Sequence, residues 1–189
     1  ERPKRFLRVL DGYVSNAADL SRIIWLFSFD EDDQSMAGID IHVRNTRINS
    51  SVVYGRSASK VHAINRDILQ VSDPWDAVLV LSDDMHCMVK GWDQFIRDDF
   101  AKNYPDTDGE LWYPDGYQKD ICTIPCVGRK RYGERGYIYH PSYRSVFCDD
   151  EETSKARRDG KLTFVDRQMF SHHHPANVST VKPDALYRR

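Results

Sequence analysis

Two adjacent carboxylates, Asp83 and Asp84, directly follow a short apolar run of β-forming residues at 78–81. An unbroken hydrophobic run of this kind predicts a buried strand of an α/β sheet. Ligands of open α/β sheets bind just beyond the carboxyl ends of such strands. Two neighbouring acids repel each other unless a cation or hydrogen-bond donors lie beside them. The pair therefore indicates a divalent-metal site for a phosphorylated ligand or, alternatively, a surface turn with an aspartate helix cap.

Three further polar clusters lie at or near predicted strand ends. They are Asp30, Asp32 and Asp33; Asp149, Asp150 and Glu151; and His172 with His174. Carboxylates suit Mg²⁺, and Mn²⁺ also accepts imidazole, so one or two acids with a histidine fit a metal that bridges a diphosphate. A structural zinc site would use four closed ligands, usually including cysteine. Each cluster also has a simpler interpretation: a turn cap at 32–33, a favourable helix-dipole interaction at 149–152, and a surface patch of histidines.

The composition favours a single domain over residues 1–189 and excludes several classes of partner. The formal net charge of −2 gives no reason to expect nucleic acid as the main partner. No apolar run approaches the ~20 residues of a membrane-spanning helix, and the charged start lacks a signal-peptide pattern. The four cysteines form no CxxC pair, so we expect reduced thiols and a cytoplasmic protein.

Apolar periodicity and cap residues predict alternating strands and helices, which indicates a parallel α/β core. We expect helices over 4–16, 60–71, 91–100 and from 153 to 158, and strands over 22–29, 39–43, 77–81, 120–127 and 162–165. Segments 103–116 and 128–142 are predicted to be long loops, which are usually functional in a compact domain. The second loop carries Arg129 and three more basic residues, which fit either donor phosphates or a solvated basic surface.

Several segments resemble GT-A glycosyltransferases related to family 2. Ser82-Asp83-Asp84 followed by Gly91-Trp92-Asp93 is similar to the family's metal-binding turn and the helix after it. Residues 56–65 resemble its G-x-S-x-K-x-x-A-x-N segment, and residues 25–33 resemble its second strand with nucleotide-contacting acids. Glu1-Arg2-Pro3 resembles the turn after its first strand. The resemblance covers most of the chain and implies a Rossmann-like, mostly parallel GT-A sheet flanked by helices, lacking its first strand.

The resemblance also implies site residues. Asp84 would ligate the metal, and Asp83 would assist it or lie near the donor ribose. Ser82 occupies a position that is often aspartate in the family, which excludes a three-acid site. The His-x-His-Pro pattern is similar to the family's C-terminal metal ligand, with His172 and His174 as the candidates. Donor contacts are implied for Asp30, Asp32, Asp33 and Lys60, although Lys60 also fits a solvated residue of a first helical turn. The family's acidic motif resembles 148–151 and implies a catalytic base at Asp150, followed by Asp149 and Glu151.

These features predict a metal-dependent, inverting glycosyltransferase that uses Mn²⁺ or Mg²⁺. The expected donor is a nucleotide-diphosphate sugar, with a UDP-sugar foremost, and the expected acceptor is the hydroxyl of a glycan or another compound. Two other functions fit the same residues: a metal-dependent nucleotidyl or phosphoryl transferase, and a catalytically inactive GT-A-like module that binds a nucleotide or glycan. The phosphoryl-transfer alternative predicts two neighbouring metals and no need for a base at Asp150.

Overall fold

The computed structural model describes residues 2–175 and 177–178, in which helices alternate with short strands. The helices are α1 (Arg2–Asn16), α2 (Ile39–Asn45), α3 (Lys60–Asp67), α4 (Trp92–Asn103), α5 (Arg129–Arg135) and α6 (Cys148–Arg158). The strands are β1 (Trp25–Asp30), β2 (Ser50–Gly55), β3 (Ala77–Leu79), β4 (Met85–Cys87), β5 (Glu110–Trp112), β6 (Pro125–Gly128), β7 (Leu162–Phe164) and β8 (Phe170–His172). Among these described residues, no helix is both long enough and apolar enough to cross a bilayer.

The strands pair in three small sheets. β1 and β2 are parallel, with Trp25 opposite Ser50 and Asp30 opposite Gly55. A four-stranded sheet has the order β3-β6-β5-β7, and only its β5–β7 pair is parallel. β4 and β8 form an antiparallel ribbon in which Met85 lies opposite His172.

The fold is therefore mixed α/β and partly parallel, which confirms the predicted class but not a mostly parallel sheet. Along the chain, the two strands of each parallel pair are separated by at least one helix, as a crossover connection requires. α2 connects β1 to β2, and the chain between β5 and β7 contains α5 and α6. β6 instead runs antiparallel to both of its neighbours, β3 and β5. The sequence periodicity could not reveal this reversal, because a short apolar run reads alike in either direction.

Segment 39–43 was expected to be a strand and is the helix α2. Ile39 and Val43 are buried, whereas Ile41 between them is 62% exposed. A strand would place all three side chains on one face, but in a helix only the i and i+4 positions share a face. Gly38 begins the helix in the left-handed conformation, at φ 76°. The strand next to β1 is instead β2, which the sequence did not predict.

Both predicted long loops contain regular structure. Segment 103–116 includes β5, and segment 128–142 includes α5. β5 was missed because it begins with Glu110, a carboxylate that is buried and paired with arginines. The remaining predicted elements are confirmed with shifted ends, and the strand expected over 120–127 shortens to β6. Neither β4 nor β8 was predicted.

The contact between α1 and α4 fixes the part of the core beneath the acidic turn. Trp92 is buried, and its Nε1 donates to the carbonyl of Tyr13 at 3.0 Å. Its ring meets that of Tyr13 edge to face, with centroids 5.3 Å apart. Asp93 accepts hydrogen bonds from the backbone N–H groups of Ala18 and Asp19 at 2.6 and 3.1 Å. Trp92 is thus a core anchor for α4.

Candidate functional site

The acidic turn after β3 is closed by its own hydrogen bonds. The backbone N–H of Met85 donates to the carbonyl of Ser82 at 3.2 Å, and β4 begins there. The Ser82 hydroxyl donates to Oδ1 of Asp84. Ser82, which excludes a three-acid site, therefore orients the carboxylate two residues later.

The β4–β8 ribbon brings His172 to Asp84. The N–H of His173 donates to the carbonyl of Asp84 at 2.8 Å, which fixes the two backbones side by side. Nε2 of His172 then lies 3.6 Å from Oδ1 of Asp84, and both side chains are largely shielded from solvent. On the other side of the ring, Nδ1 lies 3.6 Å from Oδ2 of Asp115. The imidazole is thus held between two carboxylates.

The three groups carry compensating charges. Burial opposes protonation of His172, but the two carboxylates outweigh it and raise the imidazole pKa to about 9. Burial likewise opposes ionisation of Asp84, yet His172 and the Ser82 hydroxyl hold the pKa of that carboxyl well below its usual range. Asp115 has a pKa of about 2, because His172, the Thr123 hydroxyl and two backbone N–H groups outweigh its burial. The arrangement therefore favours a positive charge between two anions.

Asp84 and His172 fit the ligand set of a divalent cation. Two atoms each ~2.1 Å from one ion lie roughly 3 to 4 Å apart, depending on the angle between the bonds, and their actual separation is 3.6 Å. Nδ1 of His172 is buried, faces Asp115 and has no hydrogen-bond partner among the residues that the structure describes. Metal-bound histidines usually give their second nitrogen to such a carboxylate. Among the described residues, however, no group of three or more His, Cys, Asp or Glu side chains is placed to hold a metal.

The two histidines that follow His172 in the chain, His173 and His174, have different surroundings. The rings of His172 and His174 have centroids 5.5 Å apart. Burial and the charge of His172 lower the pKa of His174, whose other charged neighbours are Asp84, Lys60 and Asp149. His173 instead pairs with His86, with ring centroids 4.4 Å apart. Both predicted metal-ligating histidines are therefore near Asp84: Nε2 of His172 lies 3.6 Å from its Oδ1, and the charge of Asp84 acts on His174.

Asp83 is held by α1 rather than by the histidines. Arg5 contacts its carboxylate at 3.0 to 3.2 Å, and Nε of Arg2 lies 3.5 Å from it. Arg2 also donates to Asp33 at 2.9 Å. The two arginines thus connect the acidic turn after β3 to the acids after β1. The sequence did not single out these arginines.

The acids after β1 occupy different environments. Asp30 is the last residue of β1 and is half-buried, whereas Asp32 is exposed. Asp33 caps the following 3-10 turn by accepting the N–H of Ser35 at 3.1 Å. The cap interpretation therefore applies to Asp33, which also pairs with Arg2.

Lys60 and Asp149 are close enough to His174 to act on it electrostatically. Lys60 is the exposed first residue of α3, behind the cap Ser59. Its charge and that of Asp149 both act on His174 and on the Cys148 thiol. Oδ1 of Asp149 accepts the N–H of Asp150 at 3.2 Å, and Oε2 of Glu151 is buried without a hydrogen-bond partner in the described part of the chain.

The basic residues of segment 128–142 have separate roles. Arg129 is exposed at the start of α5, with its guanidinium 4.3 Å from the centre of the Trp75 ring. Arg131 and Arg135 are directed inward and pair with Glu110 and other buried or half-buried acids. Arg131 and Arg135 are therefore structural, and only Arg129 and Lys130 remain accessible from that basic set.

Asp115 is the site residue that sequence reasoning missed. It lies in Pro114-Asp115-Gly116, a sequence typical of a turn, and it does accept the N–H groups of Tyr117 and Gln118 at 2.8 and 2.7 Å. Its second oxygen accepts the Thr123 hydroxyl at 2.7 Å. The turn signal concealed the proximity to His172, which depends on the β4–β8 pairing.

The structure is similar to a solved structure, that of the mannosyltransferase PcManGT from Pyrobaculum calidifontis in complex with GDP-Man and Mn²⁺. The TM-score is 0.62 at 12% sequence identity, and the match covers 88% of this chain. It covers 51% of the mannosyltransferase chain, so this sequence spans about half its length. No protein-family model and no curated protein matches the sequence. The likeness shows a glycosyltransferase-like fold, and the assignment to family 2 stays a prediction.

Proposed function

We propose that this protein is a metal-dependent glycosyltransferase that moves a sugar from a nucleotide-diphosphate sugar to an acceptor hydroxyl with inversion. One observation carries the proposal: the pairing of Asp84 with His172, backed by Asp115, at a strand end of a fold shared with a sugar-nucleotide transferase. A carboxylate, an imidazole and a second carboxylate behind it form a typical arrangement for a catalytic metal.

Asp84 and His172 are the proposed ligands of Mn²⁺ or Mg²⁺, with Asp115 orienting the imidazole. When bound, the metal supplies positive charge that offsets the negative charge on the departing diphosphate. His174 and Lys60 lie near enough to influence each other electrostatically, and Lys60 is the proposed cationic contact to the donor. Arg129 is a second candidate for phosphate contact.

The acidic turn of α6 is the proposed source of the general base. As the acceptor oxygen bonds to the anomeric carbon, the bond from that carbon to the diphosphate oxygen breaks, and a carboxylate accepts the acceptor's proton. The sequence ranks Asp150 first. We therefore propose Asp150 as the base and keep Asp149 and Glu151 as the alternatives to be tested beside it.

The acids near α1 are the proposed contacts to the nucleoside part of the donor. Asp33 and Asp83, each held by an arginine, are candidates for the nucleoside, with Asp30 and Asp32 beside them. Carboxylates accept hydrogen bonds from ribose hydroxyls and base N–H groups. The sequence favours UDP-sugars, whereas the similar solved structure contains GDP-Man. Both nucleotides therefore belong in the first screen.

A thermal-shift screen tests the function. The purified protein is heated with UDP-glucose, UDP-galactose, GDP-mannose or CDP-activated sugars, each with and without Mn²⁺. We expect one sugar nucleotide to raise the Tm only when the metal is present, and the same donor to release its nucleoside diphosphate when an acceptor is supplied. Stabilisation by a plain nucleoside triphosphate alone would favour a phosphoryl or nucleotidyl transferase. Metal-dependent donor binding without turnover would favour the inactive binding module.

A further inference from the structure

Phe147, immediately before α6, combines an unusual backbone with an unusual exposure. Its φ is 66°, in the left-handed region that bulky side chains rarely adopt. Its side chain is 64% exposed, and that of the preceding Val146 is 71% exposed. A strained residue generally persists where the surrounding structure imposes it, and such residues concentrate at functional positions.

The segment around Phe147 is fixed at both ends. The N–H of Val61 donates to the carbonyl of Arg144 at 3.2 Å, and the Arg144 guanidinium donates to the carbonyl of Ala58 at 2.7 Å. At the other end, Cys148 is buried in the core. The Phe147 carbonyl accepts the first hydrogen bond of α6, from Glu151 at 3.1 Å. The ring is therefore held outward by anchored backbone.

No aromatic ring of the described residues contacts Phe147. Phe164, another exposed phenylalanine, differs because it meets Trp112 edge to face with centroids 5.0 Å apart. Phe147 thus gains little from burial or ring contact, while its backbone conformation costs free energy. A ligand that covers the ring would bury its apolar surface, and the free energy gained would offset the cost of the backbone conformation.

We propose that Phe147 is the floor of an acceptor subsite and stacks on the apolar face of a pyranose ring. This inference rests on the proposed function, because it supplies the acceptor class for that site. A pyranose has a C–H face that suits the negative face of an aromatic ring, and a hydroxyl edge that suits carboxylates. Asp149 and Asp150 lie two and three residues beyond Phe147, on the first turn of α6. The first turn of α6 thus supplies carboxylates next to Phe147 in the chain that could accept the hydroxyls of a sugar.

Ligand-observed saturation-transfer NMR tests the subsite. The probes are methyl α-D-mannopyranoside, methyl β-D-glucopyranoside and methyl β-D-galactopyranoside, in the presence of Mg²⁺ and UDP or GDP. D-mannitol, an open-chain polyol, is the control ligand. We expect at least one pyranoside, but not mannitol, to receive saturation at its C–H protons. The signal should fall at least five-fold in Phe147→Gly and persist in Phe147→Tyr and in the remote Phe164→Ala.

The Tm separates a binding role from a structural one. Glycine adopts φ 66° without strain, so Phe147→Gly should have a Tm equal to or above that of the wild type while it loses the probe. A lower Tm for Phe147→Gly, equal pyranoside signals in the two proteins, or no pyranoside signal in either would overturn the proposal. The probes bind without being transferred, so a failure of the proposed function appears separately, as the lack of a metal-dependent shift by any sugar nucleotide.

Discussion

Nε2 of His172 lies 3.6 Å from Oδ1 of Asp84, and the opposite nitrogen of the same ring lies 3.6 Å from Asp115. The ring is therefore a bridge between the turn after β3 and the loop after β5. It positions one imidazole nitrogen beside the carboxylate proposed as metal ligand, with the other nitrogen directed at a buried acid.

Replacing the proposed ligands should remove metal binding. We expect Asp84→Asn and His172→Ala each to weaken Mn²⁺ binding by more than about 100-fold, because changes to residues behind a ligand already cost 10- to 100-fold. Asp115→Asn should weaken Mn²⁺ binding by only about 10- to 100-fold, because Asp115 lies behind a ligand. Isothermal titration with Mn²⁺ measures all three. Asp11→Asn, an exposed change on α1, is the matched control, and unaltered Mn²⁺ affinity in Asp84→Asn would disprove the ligand assignment.

The three acids of α6 should differ in their effect on transfer. Removing a general base typically costs about 10²- to 10⁴-fold in rate. We expect Asp150→Asn to lose kcat in that range, with donor binding retained, and Asp149→Asn and Glu151→Gln to lose less. Initial rates at saturating donor measure kcat, and the donor-induced thermal shift reports binding. The largest loss in Asp149→Asn or in Glu151→Gln would contradict the assignment of the base to Asp150.

Asp93 should contribute stability that disappears in acid. Burial opposes its ionisation, but the N–H of Ala18 and the Arg97 guanidinium lower its pKa below the usual value. A lowered pKa means that the stabilisation is complete above the unfolded-state value, about 3.9, and is lost as the pH falls through the folded-state value. We expect Asp93→Ala to lose about 2–3 kcal/mol of unfolding free energy at pH 7. Urea unfolding from pH 7 to pH 3 should show the difference shrinking; a constant difference contradicts the assignment.

The buried pair of Arg135 with Glu152 should be strongly coupled. Both side chains are almost completely buried and in direct contact. Arg135→Ala leaves the buried Glu152 carboxylate without its arginine and should cost about 3–5 kcal/mol. Glu152→Ala should cost less, because Arg135 keeps its contact with Glu110 at 3.1 Å. The double variant Arg135→Met/Glu152→Leu should be less destabilised than the sum of the two single changes. Additive losses in urea unfolding would show that the pair is uncoupled.

Local signals explain which elements the sequence predicted. Ser59 caps α3 by accepting the N–H of His62 at 3.1 Å. A cap of this kind acts within one turn of the chain and can be recognised directly from the sequence. α2 was misread because Ile39, Ile41 and Val43 satisfy an alternating pattern, although only two of the three are buried. The deciding factor was tertiary packing.

The residues of the candidate site also fall into those that the sequence identified and those that it did not. Asp84 and His172 were both identified as candidate metal ligands from the sequence, but their contact depends on the β4–β8 register, which no local pattern specifies. Asp115 and the arginines of α1 were not identified at all. Their roles arise from neighbours far away in the chain, as with Arg5 on Asp83.

The β4–β8 ribbon also bears on how the site comes into being. It joins residues 85–87 to residues 170–172, so one proposed ligand is synthesised long before the other. Long-range pairings form late, because the intervening chain must first be ordered. A nascent chain that has not yet reached β8 carries Asp84 but not His172. Acquisition of tight Mn²⁺ binding would therefore mark the completion of folding, and free metal would favour the fully paired chain by mass action.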